Sequence, residues 1–148
     1  MEKAVTALFN QLLLLFSIMQ GINAEPLTIV EKPVVKKQEA FRLASISFAY
    51  ASAKPAKKQE IVFENIVEYL KQHPSARIRL DGYADKATGK ARTNLMLSIR
   101  RTDSVRNILI ERYGIAPSRI DAQGIGCNAQ PYEKNEHNRV VIVTALPE

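Results

Sequence analysis

A chain of 148 residues has room for one ordinary domain, and 46% hydrophobic against 24% charged residues is the balance of a globular protein with an apolar core. Its formal charge of +6 suits an anionic partner, yet there is no Trp, and aromatics are nowhere interleaved with Lys and Arg as in a nucleic-acid groove. The single cysteine, Cys127, excludes an intrachain disulfide and a Cys-rich zinc site.

Residues 1–24 read as a secretory signal. Lys3 supplies a positive start, weakened by Glu2, and Leu12 to Phe16 lie in an apolar run that ends near Met19. Gly21-Ile22-Asn23-Ala24 then offers a small residue at a cleavage point. An uncleaved anchor is the alternative, although Asn10 and Gln11 leave the run short of the roughly 20 residues a comfortable span needs. No cysteine near that point is available for a lipid. Residues 25–41 carry Pro26, Pro33 and alternating charges without helical period, and read as a linker.

The folded domain is expected over 42–148. Ala44, Ile46, Phe48 and Tyr50 alternate with Ser45, Ser47 and Ala49, which predicts a half-buried strand followed by a turn at Lys54-Pro55. Phe63, Ile66, Val67 and Leu70 form a helical stripe between about Lys58 and Gln72, closed by His73-Pro74. Arg77 to Asp81 alternates as a second strand that runs out at Gly82. A second helix should begin near Thr93 or Asn94, either of which can cap it, and stop at Gly114 ahead of Pro117. Arg119 to Ile125 reads as a third strand, Ala129 to His137 as a polar loop, and Val140 to Ala145 as a nearly all-apolar, central strand. The order is β-α-β-α-β-β. Two right-handed crossovers then predict an α+β sandwich, with a mixed four-stranded sheet and both helices on one face.

Along the second helix, Leu97, Arg101, Val105 and Ile108 share a face. Three are apolar, and Arg101 is the misfit, because a guanidinium is almost never buried without a partner. Asp85, one loop earlier at the end of a strand, is the nearest carboxylate. Either the two pair directly and anchor the loop to the helix, or a ligand sits between them.

Asn94-Leu95-Met96-Leu97-Ser98-Ile99-Arg100-Arg101 followed by Val105 resembles the N-x-x-L-S-x-x-R-x-x-x-V helix of the OmpA-like domain family. Gly82-Tyr83-Ala84-Asp85 resembles its G-[YH]-[TA]-D turn, Gly124-Ile125-Gly126 its G-x-G, and Asn138-Arg139 the N-R pair before its last strand. The likeness covers about residues 42–145. It implies non-covalent binding of peptidoglycan in the periplasm or cell envelope of a Gram-negative bacterium, outer membrane included. The family's diaminopimelate-binding aspartate and arginine correspond to Asp85 and Arg101. Asn94, two helical turns before Arg101, would line the pocket or serve only as a cap, and Leu97 would give it an apolar wall.

The sequence also departs from the family pattern. The loop from Asp85 to Asn94 is one residue longer than the commonest form of the motif and carries Lys86, Lys90 and Arg92. Phe48 to Ser52 offers no acid where the family has F-D-x-N. Val140 replaces a frequent second arginine, and Ala84 a frequent threonine.

No cofactor, metal or enzyme motif is expected: His73 and His137 read as exposed bystanders, and neither a G-x-S-x-G nor a phosphate-cradling loop occurs. Partners other than peptidoglycan would be envelope proteins, with the domain serving as a scaffold that has lost wall binding. Cys127 reads as a half-buried small side chain, and pairing between chains leaves a homodimer open. A nucleic-acid binder would instead show strong salt dependence and indifference to Arg101.

Overall fold

The computed structural model describes Glu31 and residues 38–148, so the expected signal at 1–24 and most of the linker at 25–41 lie outside the described residues. Four strands, Phe41–Ser47 (β1), Arg77–Tyr83 (β2), Ile120–Gly126 (β3) and Val140–Leu146 (β4), form one sheet in the order β1-β4-β2-β3. Helices Glu60–Gln72 (α1) and Ala91–Asn107 (α2) complete the β-α-β-α-β-β order. β4 pairs antiparallel with β1 and β2, while β2 and β3 are parallel. The carboxyl ends of β1, β2 and β3 therefore meet at one edge of the sheet, beside the start of β4.

Alternation in the strands sets the core. Ile46, Ile78, Leu80, Val141 and Val143 are fully buried, packed with Phe63, Ile66, Val67 and Leu70 of α1 and Val105 and Leu109 of α2. Removing such a side chain from water contributes about 1.5–3 kcal/mol each. The helical stripe expected in α1 is buried in full. β4 lies between β1 and β2, as its apolar run implies.

Helix α2 lies almost on the backbone of the sheet. A Cβ at Gly82 would fall 2.5 Å from the Ser98 carbonyl oxygen, and one at Gly124 would fall 2.7 Å from the Ile99 backbone nitrogen. Ser98 uses this closeness. Its hydroxyl donates to Leu95 O at 2.7 Å and accepts the backbone N–H of Gly126 at 2.9 Å. The Leu-Ser of the helix and the G-x-G of the strand are thus one contact.

Boundaries differ from expectation at four places, the first being the start of β1 at Phe41, three residues before Ala44 and at the end of the expected linker. β1 ends at Ser47, and beyond it Phe48 bridges to Pro55, while Tyr50 turns outward and is 56% exposed. Helix α2 starts at Ala91 with an extended Lys90 as its cap, without a side-chain bond, so neither Thr93 nor Asn94 caps it. Asn94 instead sits inside the first turns and is buried. At the far end, Leu109 rather than Ile108 takes the fully buried place after Val105. A wider turn, Ile108–Arg112, closes through Gly114 at φ +70°, whose N–H donates to Ile110 O at 3.1 Å.

Candidate functional site

The carboxyl edge collects the residues that the sequence singles out. β2 ends at Tyr83, the Ala84 N–H donates to Gly126 O at 2.9 Å, and Asp85 follows with no exposed surface. Asp85 does not pair with Arg101. One carboxylate oxygen accepts the Thr88 hydroxyl and the other accepts Nε of Arg139. Arg139 is delivered by the residue before it. Asn138 clasps the preceding loop, accepting the Tyr132 N–H at 3.0 Å and donating to Tyr132 O at 2.9 Å. The Arg139 carbonyl accepts the Phe48 N–H at 2.8 Å, and its guanidinium lies over the Tyr50 ring at 5.2 Å.

Arg101 is completely buried, and its partners are backbone carbonyls. Nε donates to Ser52 O at 2.8 Å, Nη1 to Tyr83 O at 2.8 Å and Nη2 to Ala49 O at 3.3 Å. Its guanidinium carbon stands 5.2 Å from the centre of the Phe48 ring. The segment from Phe48 to Ser52, which has no acid to offer, supplies carbonyl oxygens in place of one. Arg101 thereby ties the β1–α1 connection to the end of β2.

Two guanidinium groups and one carboxylate share this region. Burial lowers the Arg101 pKa to about 10; the charge of Asp85 works against the shift and that of Arg139 adds to it. For Asp85, burial alone would raise the pKa. The Thr88 and Arg139 hydrogen bonds, with the Arg139 charge, more than offset it and hold the carboxyl below its ordinary range. One acid between two cations leaves the cluster one positive charge in excess.

Leu97 is 8% exposed and Asn94 fully buried, both on the α2 face that carries Arg101. The Asn94 amide nitrogen donates to Gly89 O at 3.0 Å, which fixes the loop after Asp85, but its Oδ1 has no hydrogen-bond partner among the described residues. A buried acceptor left open is uncommon and costly. The residues missed by sequence reasoning are Arg139 and Thr88. Arg139 was visible as half of the Asn138-Arg139 pair, but nothing local connects it to an aspartate 54 residues earlier.

Among the described residues, no group of His, Cys, Asp and Glu is arranged to hold a metal ion, and no helix is long and apolar enough to cross a membrane. His73 packs 4.5 Å from Tyr69 and His137 6.2 Å from Tyr132, ring to ring, and both are exposed. Cys127 is a half-buried free thiol.

Comparison with known proteins bears on the family and the fold. The model of the OmpA family matches residues 47–141. Outer membrane protein 40 of Porphyromonas gingivalis is 35% identical over 144 residues, covering 95% of this chain and 37% of the relative. Peptidoglycan-binding protein ArfA of Mycobacterium bovis is 33% identical over 88 residues, covering 55% of this chain and 26% of the relative. The chain thus spans little more than a third of the length of the first of these. Among solved structures, the peptidoglycan-associated lipoprotein of Burkholderia pseudomallei shares the fold with a TM-score of 0.64 at 22% identity, over 70% of this chain and 90% of that one.

Proposed function

The chain belongs to the OmpA family, and on that premise we propose that it binds peptidoglycan non-covalently, through the diaminopimelate of the stem peptide, at the carboxyl edge of the sheet. With relatives named for the outer membrane, it is assigned to the cell envelope. In this reading residues 42–148 are the binding domain, 25–41 the tether and 1–24 the export signal.

The observation that carries the reading is the charge pattern of the buried cluster. Diaminopimelate presents an ammonium and a carboxylate on one carbon. Asp85 and the open Asn94 Oδ1 suit the ammonium. The uncompensated positive charge of Arg101 and Arg139 suits the carboxylate, onto which a guanidinium can fork two hydrogen bonds. Leu97 gives the ligand's methylene chain an apolar wall. Because Asp85 is covered, binding requires Thr88 and Arg139 to let it go, and Arg139 then turns to the ligand carboxylate.

One observation favours a second reading, a scaffold without wall binding that serves other envelope proteins: Asp85 and Arg101 are each already hydrogen-bonded to other parts of the chain. Co-sedimentation separates the two. The protein is mixed with sacculi whose third stem residue is diaminopimelate, and with sacculi carrying lysine there, which lacks the carboxylate. Pelleting with the first alone supports the proposal. Equal pelleting that salt reverses reduces it to the attraction of a basic protein for an acidic polymer. If the protein pellets with neither, the scaffold reading stands.

A further inference from the structure

Beside the covered aspartate lies an open cleft of about 390 Å³, lined by Thr88, Arg92, Thr93, Met96, Leu97 and Arg100 with Ala51. Thr88 belongs to both places, since its hydroxyl bonds Asp85. Arg92, Met96 and Arg100 follow one another at intervals of four along α2, so they form a stripe about 12 Å long with a cation at each end and a thioether between. Among the described residues, no carboxylate lines the cleft. The ion pairs among the described residues use Arg77, Arg79, Arg112 and Arg139, and neither Arg92 nor Arg100. Two guanidinium groups without an ion pair among the described residues, the Thr93 hydroxyl and an apolar floor make an anion-accepting groove next to the proposed diaminopimelate site.

We propose that this cleft is a second subsite, which binds the carboxylate of the acidic residue adjacent to the one held at Asp85. The inference rests on the peptidoglycan reading above. In a stem peptide that neighbour is the γ-linked glutamate, whose free α-carboxylate lies one residue from the diaminopimelate. Arg92 and Arg100 reach it from the two ends of the stripe, while Thr93, and Thr88 once it has released Asp85, donate hydroxyl hydrogens to it. Amidation of that carboxylate removes the charge and leaves the shape. The cleft therefore makes the protein a discriminator between free-acid and amidated stems.

The test is calorimetric titration with two soluble stem tripeptides, alanyl-γ-glutamyl-diaminopimelate and the same peptide with the glutamate carboxylate amidated. Three proteins are compared: wild type, Arg92→Gln with Arg100→Gln, and Lys71→Gln with Arg106→Gln. The last removes the same charge from the far ends of the helices. Wild type and the Lys71/Arg106 variant should bind the free acid roughly three- to tenfold more tightly than the amide. The Arg92/Arg100 variant should bind both peptides alike, at the wild-type affinity for the amide. Equal binding of the two peptides by wild type, or a preference that survives in the Arg92/Arg100 variant, overturns the subsite and leaves the diaminopimelate reading in place. Failure of wild type to bind either peptide removes both.

Discussion

An arginine grips three backbone carbonyls at each end of this sheet. At the end opposite the candidate site, Arg119 donates to Ala76 O at 2.9 Å, Leu70 O at 3.0 Å and His73 O at 2.6 Å, tying the last turn of α1 to the start of β2. At the carboxyl edge, Arg101 does the same for the β1–α1 connection and the end of β2. The hydrogen bonding is alike and the surroundings are not. Arg119 is half-buried and has no ion pair among the described residues. Arg101 has no exposed surface and shares its neighbourhood with Asp85 and Arg139. A buried arginine with carbonyl partners is by itself a staple between loops. What sets the carboxyl edge apart is the covered acid, the second cation and the unpaired Asn94 oxygen.

The sharpest way to break the comparison is to remove both staples. Arg101→Met strands three carbonyls in a closed space and should cost about 3–5 kcal/mol in urea unfolding. That loss is a large share of a domain's stability, so Arg101 variants are poor probes of binding unless folding is measured beside them. Asp85→Asn comes next, at about 1–3 kcal/mol near neutral pH, because it leaves two guanidinium groups facing a neutral amide. It should also change the pH profile. The folded-state pKa of Asp85 lies below its unfolded value, so the unfolded chain binds more protons in between. The stability it contributes is therefore present above about pH 4 and is lost as pH falls through the folded pKa. Melting temperatures measured from pH 6 down to 2.5 should fall more steeply for wild type than for Asp85→Asn. Parallel curves would show that the acid is not held as described.

Arg119→Met should cost less, about 1–2 kcal/mol, since water reaches the carbonyls it deserts. It should leave sacculus binding untouched. The smallest effect belongs to Arg92→Gln with Arg100→Gln, within about 0.5 kcal/mol, because both side chains are exposed and form no ion pair among the described residues. A larger loss would mean that these arginines brace the helix and do not wait for a ligand.

Much of the frame was legible in the chain. The alternation of Arg77 to Asp81, the stripe Phe63-Ile66-Val67-Leu70 and the apolar run of β4 translate directly into a sheet with helices on one face, because burial period follows backbone geometry. Arg101 was recognisable as a buried misfit for the same reason. Its partners were not, since backbone carbonyls exist at every residue and carry no signature. Asp85 misled in the opposite way. A carboxylate close in sequence to the buried arginine looked like its mate, but 54 residues of chain fold back to bring Arg139 to it. The sequence leaves Asn94 two roles, pocket or cap. The cap fell because Lys90 already holds an extended backbone at the start of α2, where no side-chain bond is made. Beyond Ser47 the alternation that carries β1 continues in sequence through Tyr50, while the backbone leaves the sheet to wrap Arg101.

The most direct test of binding at the carboxyl edge is co-sedimentation of wild type, Asp85→Asn and Arg119→Met with diaminopimelate-containing sacculi at about 0.15 M salt, where long-range attraction is screened. Thermal melts of the same samples establish that all three are folded. Wild type and Arg119→Met should pellet, and folded Asp85→Asn should stay in solution. A folded Asp85→Asn that pellets as completely as wild type would contradict the account.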